Sequence, residues 1–341
     1  MPVKVYLLLF RKGYHVGWRE PRELVDHTTV LRALVYLAHL TGSDRCFELI
    51  KGGKLEASAL LPTLPIDGNY VRLLAPFPYL PCLGKASEIR RLYLTLPALS
   101  ALVEFADRCH NTEGVPVVGI SYDGSIVIQC VNAVKEVRAL ILRRVEGIAC
   151  LDGDDCAKVK DYAIQRFIET ISEYRNRIDR VTGAADLFTL YGKRPRTPLW
   201  LALHGEEEAL KCAGELLKIL EYTGIGGLRS RGWGLFTLLE EVKLSSWDQS
   251  IINKVGWAPG LVYLLGTMPP GTWLRYKFSY ANRYVIMGRA GPPTGEYKLP
   301  VLEVMDVGSL VYVESIPKSM IIPLDGGKAV YIFNPVVLHA G

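Results

Sequence analysis

Thr223-Gly224-Ile225-Gly226-Gly227-Leu228-Arg229-Ser230-Arg231-Gly232-Trp233-Gly234-Leu235-Phe236 is the stretch on which the reading of this chain turns. The twelve residues from Gly224 to Leu235 hold five glycines, two arginines and one tryptophan, with no acidic residue. Glycine reaches backbone conformations closed to other residues and lets a second backbone come close. Arginine offers a planar fork of donors that matches phosphate oxygens. The loop therefore reads as a cradle for an anionic polymer, against the plainer alternative of a glycine-rich turn that only reverses the chain.

The flanks set its context. Leu199 to Leu203 reads as a strand. Gly205 and Glu206 open a helix to about Tyr222, with Leu210, Ala213, Leu216, Leu217 and Leu220 spaced for one apolar face. Leu235 to Val242 reads as the strand that leaves the loop. This order excludes two nucleotide motifs. A dinucleotide fingerprint follows a strand, opens a helix and has a third glycine where Arg229 stands, and a phosphate-binding P-loop needs Gly-Lys-Ser/Thr at a helix start.

At 341 residues, two domains are expected: 1–244, carrying the glycine-rich loop (223–236) with insertions, and a smaller β-rich domain over 245–341. Lys+Arg exceeds Asp+Glu by 40 to 35, a net charge of +5, which permits a nucleic-acid partner without demanding one. Seven cysteines, at 46, 82, 109, 130, 150, 156 and 212, show no CxxC pair, so a zinc site is not expected and they read as reduced, mostly buried thiols. The apolar run Val5 to Phe10 is too short for a secretory or membrane segment, and a cytoplasmic location is expected. Three glutamines and seven asparagines are a low share of thermolabile amides and favour a thermophilic source.

Along the chain, Val3 to Phe10 reads as a buried strand. A basic loop with His15, Trp18 and Arg22 follows, then a helix capped by Thr28 or Thr29 through His39 and stopped by Gly42. Residues 44 to 84 suit irregular or hairpin structure. Helical runs surround Pro97, and Asp123-Gly124 joins Val115–Ile120 to Ser125–Val131 as a hairpin. Val159 to Tyr174 reads as a helix, followed by the basic segment Arg175-Asn176-Arg177-Ile178-Asp179-Arg180. Residues 245 to 259 read as a connector. Short strands follow at 261–265, 274–280, 284–287, 309–314 and 329–333.

The helix, the segment Gly224 to Gly234 and the strand after it resemble the glycine-rich loop of the RAMP superfamily, RNA-binding proteins of CRISPR effector complexes. Three other segments sharpen the resemblance: the basic loop and helix from His15 to Leu40; Asn176 to Gly183; and Arg289-Ala290-Gly291 followed by Met305-Asp306-Val307-Gly308-Ser309. The set is similar to the type III-A RAMP subunit at the foot of the complex, beside the large polymerase-cyclase subunit. The implied fold is α+β, with tandem ferredoxin-like (RRM-like) domains and antiparallel sheets. The implied function is a non-catalytic scaffold in antiviral defence that holds the 5′ repeat-derived tag of the crRNA and bridges the large subunit to the adjacent RAMP backbone subunit. No cofactor, metal, membrane or small-molecule substrate is implied. Leu228 stands where the family commonly has a basic residue.

The expected RNA-binding residues are Gly224, Gly226, Gly227, Arg229, Ser230, Arg231, Gly232, Trp233, His15, Arg175, Arg177 and Arg180. Tyr14, Trp18 and Trp233 are the aromatics placed to stack on bases or to pack in the core. The competing function is a metal-independent RAMP endoribonuclease that processes repeat RNA with a histidine as general acid or base. His15 and His27 are the candidates for that role, and Asp26 is the nearest candidate for a metal-assisted cut.

Overall fold

The computed structural model describes residues 1–17, 21–66, 70–160, 166–178, 181–182, 184–240, 243–289, 298–317, 321–324 and 329–339. It is a mixed α/β protein. Trp18, Asp179, Arg180, Gly183, Ala290 and Gly291 lie outside the described residues.

The strand Val3–Phe10 is apolar on both sides because both of its faces are covered. Leu7 enters one core and Leu8 and Phe10 a second. The strand Leu199–Gly205 repeats this pattern, with Trp200 and Ala202 in the first core and Leu199, Leu201 and Leu203 in the second. The two strands pair antiparallel, Leu8 opposite Leu199. On the other side Val3–Phe10 pairs with Phe236–Leu238, Phe10 opposite Phe236. Leu199–Gly205 continues into Leu61–Ile66, and also pairs with Leu55–Ala57. Along this end of the sheet the order is 236–238, 3–10, 199–205, 61–66.

Two helices cover the second core. His27–Leu40 starts at Asp26, whose carboxylate accepts the Thr29 N–H at 2.8 Å. The cap is thus Asp26, not either threonine. Glu207–Thr223 buries Leu210, Leu216, Leu217 and Leu220. Each such side chain stabilises the fold by roughly 1.5–3 kcal/mol. The sheet runs on through Tyr70–Pro76, Tyr93–Thr95, Ile148–Cys150, Leu140–Val145, Ile126–Val131 and Val115–Ile120. It is antiparallel except where Tyr93–Thr95 meets Ile148–Cys150 and Lys243–Leu244 meets Tyr70–Pro76. The expected hairpin at Asp123-Gly124 is present.

Helix Leu96–His110, with Pro97 in its first turn, lies in the first core. The four-stranded sheet 274–280, 310–313, 260–264, 337–339 meets that core through Leu261 and Tyr263, while Val262 and Leu264 turn to a third cluster. The C-terminal strands thus share a core with the rest of the chain. Tyr263 fixes the junction with a hydrogen bond from its hydroxyl to the Pro76 carbonyl at 2.6 Å.

Several expectations are corrected. Residues 44–51 form a helix, and 246–252 another, capped by Ser245, which accepts the Asp248 N–H. Where a helix was expected to Tyr174, a short helix Asp154–Lys160 is followed by the strand Ile168–Ile178. That strand pairs along its whole length with Ala185–Pro195, Ile178 opposite Ala185 and Ile168 opposite Pro195. The cysteines are not all thiols. Cys46–Cys212, Cys109–Cys130 and Cys150–Cys156 are disulfides with Cα atoms 5.5, 5.6 and 5.3 Å apart, within the bonded range, and Cys82 is free. Gly114 makes room for one of them: a Cβ there would lie 2.3 Å from the Cys130 sulfur.

Candidate nucleic-acid interface

Helix Glu207–Thr223 ends at Gly224, whose φ of 75° and N–H bond to the Leu220 carbonyl turn the chain out. Gly226, Leu228, Gly232 and Gly234 also take positive φ, at 90°, 58°, 78° and 81°. Between Leu228 and Gly232, Arg229–Arg231 makes a single 3₁₀ turn. The loop is closed at its base, where the Ile225 N–H bonds the Gly234 carbonyl at 3.0 Å.

Three of the glycines admit a second backbone, and that backbone is the protein's own. A Cβ at Gly234 would lie 2.1 Å from the Ile225 carbonyl oxygen, one at Gly224 3.0 Å from Gly234, and one at Gly226 2.7 Å from the His15 oxygen. The loop Arg11–Val16 is laced onto the glycine loop by Gly227 N–H to His15 O at 2.8 Å, Gly234 N–H to Gly13 O at 2.7 Å and Arg11 N–H to Leu235 O at 3.0 Å. Gly232 has open space around it.

The side chains sort by direction. Arg229, Ser230 and Arg231 are exposed. The guanidinium carbons of Arg229 and Arg231 sit 5.7 Å from the ring centroids of Tyr36 and Phe188 respectively, and among the described residues neither arginine has a carboxylate in ion-pair range. A basin of about 720 Å³ lies among Tyr222, Gly227, Leu228, Arg229 and Arg231. Trp233 points the other way. It is fully buried, with Gly192 so close that a Cβ there would be 1.7 Å from the ring, and with the Lys12 ammonium 4.8 Å above it. Tyr14 is equally buried and its hydroxyl donates to the Glu23 carbonyl. Of the three aromatics considered for stacking, these two are core residues.

His15 joins the glycine loop to the hairpin. Its Nδ1 lies 2.7 Å from the Tyr191 carbonyl oxygen, so in the neutral ring Nδ1 carries the proton and Nε2 is the acceptor. Tyr14 and Lys193 exchange backbone hydrogen bonds at 2.8 Å, and Lys12 Nζ pairs with Glu173 at 2.6 Å. Arg175 and Arg177 lie on the outer half of the hairpin, opposite Phe188 and Asp186, and Arg175 pairs with Glu173. The structure thus brings His15, Arg229, Arg231 and Arg175 around one loop and hairpin. Lys12, Tyr36 and Phe188 join them; Lys12 lies in the segment already read as a basic loop.

The other nuclease candidates, His27 and Asp26, sit elsewhere. His27 is buried, its Nδ1 accepts the Thr267 N–H at 3.1 Å, and burial pushes its pKa down to about 4, so it is a neutral packing residue. Burial of Asp26 opposes its ionisation, but Arg22, 3.6 Å away, Arg32 and Thr28 outweigh this and hold the carboxyl below its usual range. Among the described residues no group of three His, Cys, Asp or Glu side chains could hold a metal ion. The segment Met305–Ser309 forms a turn about Asp306, which accepts from Arg22 at 3.4 Å and from the Val307 N–H at 2.9 Å, while Arg22 also donates to the Tyr284 hydroxyl at 2.6 Å. This ties the N-terminal basic loop to the C-terminal strands. No helix among the described residues is long and apolar enough to cross a membrane.

No match was found among curated protein sequences. The fold is similar to that of a chain in the crystal structure of a Csm3-Csm4 subcomplex in the type III-A CRISPR-Cas interference complex, with a TM-score of 0.58 and 14% identity over 98% of each chain. A chain of a Csm1-Csm4 cassette in complex with cA4 aligns over 99% of this chain and 95% of its own, at a TM-score of 0.46 and 11% identity. A chain of a type III-B Cmr-beta complex bound to cognate target RNA and AMPPnP aligns over 91% and 85%, at 0.45 and 11%. Residues 115–237, from the first strand of the Asp123-Gly124 hairpin through the long hairpin to the glycine loop, match the model of the RAMP superfamily.

Proposed function

We propose that this protein is a non-catalytic, RNA-binding scaffold subunit of a type III CRISPR effector complex. It holds the 5′ repeat-derived tag of the crRNA and bridges the large polymerase-cyclase subunit to the adjacent RAMP backbone subunit. The observation that carries the reading is the pair Arg229 and Arg231, exposed, without carboxylate partners among the described residues, and mounted on a 3₁₀ turn between residues of positive φ. Guanidinium groups held open in this way suit phosphate oxygens. The strand order 236–238, 3–10, 199–205, 61–66 with its two covering helices supports a ferredoxin-like unit as the platform for the loop. We place the division between this unit with its insertions and a second, smaller unit at 244/245.

A thermophilic source is part of the same reading. Disulfides inside cells are rare except in hyperthermophiles, and three of them here accord with a cytoplasmic protein of such an organism.

Co-expression with the neighbouring RAMP subunit, the large subunit and a repeat-containing RNA, followed by sizing and RNA extraction, tests the proposal. The expected result is a complex whose guide RNA keeps its 5′ tag and loses it, or is lost, with Arg229→Ala/Arg231→Ala. Unchanged retention by that variant would remove RNA holding from the loop. Site-specific cutting of repeat RNA by the isolated chain in EDTA, abolished by His15→Ala, would make it the endoribonuclease instead.

A further inference from the structure

On the far side of the long hairpin lies a cleft of about 1040 Å³. Its walls come from four places in the chain: Arg22 to Leu24, the segment 87–93, the turn 144–147, and the root of the hairpin at 166–170 with Lys193 and Arg196. Asp306 and Val307 close one end. The same hairpin packs against the glycine loop, through Gly192 on Trp233. Successive strand residues face opposite ways, so Gly192 packs on Trp233 while Lys193 turns to the cleft.

The charges in the cleft are not balanced. Seven cationic side chains line it against five carboxylates, Glu146 and four that are engaged: Glu88 with Arg144 at 3.1 Å, Glu169 with Arg196, Asp306 with Arg22 at 3.4 Å, and Glu23 as acceptor of the Tyr93 hydroxyl at 3.1 Å. Arg90, Arg91 and Arg166 are exposed at the cleft and, among the described residues, have no carboxylate in ion-pair range. Sites for apolar small molecules are walled mainly by hydrophobic side chains. This one is walled mainly by charge, with a surplus of guanidinium.

We infer that this cleft is a second anion-binding site, in which Arg90, Arg91 and Arg166 hold phosphates of a single-stranded RNA segment that leaves the glycine loop across the root of the hairpin. The inference rests on the reading of the chain as an RNA-binding subunit. The arginine fork suits carboxylates and phosphates alike, so an acidic peptide can meet the same charge; RNA is favoured because one hairpin carries both surfaces, Gly192 packing on Trp233 of the glycine loop and Lys193 lining the cleft.

The test uses the full chain and a fluorescein-labelled single-stranded oligouridylate, titrated across a range of salt. Three proteins are compared: wild type, Arg90→Glu/Arg91→Glu/Arg166→Glu, and Arg229→Ala/Arg231→Ala. The cleft variant is expected to bind at least tenfold more weakly, and its salt slope to be shallower by about 2, at ~0.7 per phosphate contact on a single strand. Wild-type affinity and slope in the cleft variant would overturn the inference and leave the glycine-loop reading intact. A loss confined to the cleft variant would keep the inference and overturn the loop's role, and no binding by wild type would overturn both. Displacement of the RNA from wild type by polyglutamate at equal charge would assign the cleft to an acidic peptide and overturn the inference. Crosslinking of 4-thiouridine RNA to wild type gives a readout free of folding effects: adducts are expected on peptides holding Arg90 to Tyr93 or Arg166 to Thr170, and adducts confined to the glycine loop would overturn the proposal.

Discussion

The guanidinium of Arg231 lies 5.7 Å from the centre of the Phe188 ring, so the tip of the glycine loop rests on the long hairpin rather than standing free. Phe188 is opposite Arg175 in the hairpin register. The ring that meets the loop arginine is therefore the cross-strand neighbour of a hairpin arginine. A cation over a ring at an exposed site is worth about 0.5–1 kcal/mol. Phe188→Ala is expected to change global stability by no more than that, while weakening binding of single-stranded RNA through loss of Arg231 orientation. Arg231→Ala should weaken it more. Equal RNA affinity in Phe188→Ala and wild type, measured by anisotropy, would mean the ring does not orient the arginine.

The glycines of the loop should separate by mechanism. Gly232 has a φ of 78° with open space around it, whereas Gly234 at 81° also has the Ile225 oxygen where a Cβ would go. An alanine at 232 meets only the backbone cost of a left-handed residue, roughly 1–2 kcal/mol. At 234 it also pushes apart the hydrogen bonds that close the loop and hold Gly13. Denaturant titration is expected to rank Gly234→Ala well below Gly232→Ala in stability; the reverse rank would contradict the close approach at Ile225.

The disulfides should matter in proportion to the chain they close. Cys46 and Cys212 are 166 residues apart, Cys109 and Cys130 are 21, and Cys150 and Cys156 only 6. The first bond joins helix Asp44–Lys51 to helix Glu207–Thr223, which carries the glycine loop. In the loop-entropy picture a bond of this kind contributes roughly 2–4 kcal/mol, with longer loops giving more. Thiol titration of the denatured, unreduced protein is expected to find one free cysteine, and Cys46→Ser/Cys212→Ser to lower the melting temperature more than Cys150→Ser/Cys156→Ser. Seven titratable thiols in protein purified without reductant would refute the pairing.

The helix, loop and strand around residues 207–238 were legible because the leucines at 210, 216, 217 and 220 follow the helical period and the glycines break it. The long hairpin was not. Ile168, Ile171, Tyr174 and Ile178 stand three or four residues apart, a helical stripe, yet the segment pairs with 185–195 and leaves most of its side chains to solvent. Local spacing was overridden by a partner strand that periodicity alone does not reveal. The burial of Trp233 was hidden for a similar reason, since the space for its ring is supplied by Gly192 on that hairpin. The cysteine pairs carry no spacing signature, and with no CxxC pair the seven read as thiols. Arg229 and Arg231 were readable because nothing acidic lies near them in the sequence, and the fold keeps that so among the described residues.

His27 gives the last prediction its sign. In the folded protein the ring is buried and neutral, with its pKa pushed down to about 4 by desolvation, while in the unfolded chain it titrates near its ordinary value of about 6.5. The unfolded state therefore binds the proton more tightly, and the stability held above pH 6.5 is lost as the pH falls toward 4. Between pH 7 and pH 5 this residue alone accounts for about 2 kcal/mol. Asparagine can keep the acceptor that faces the Thr267 N–H without a titrating proton. Relative to wild type, His27→Asn is expected to cost some packing at pH 7 and to narrow or close that gap at pH 5, read from urea midpoints at the two pH values. A constant difference between the two proteins across this range would show that His27 is not held neutral by the fold.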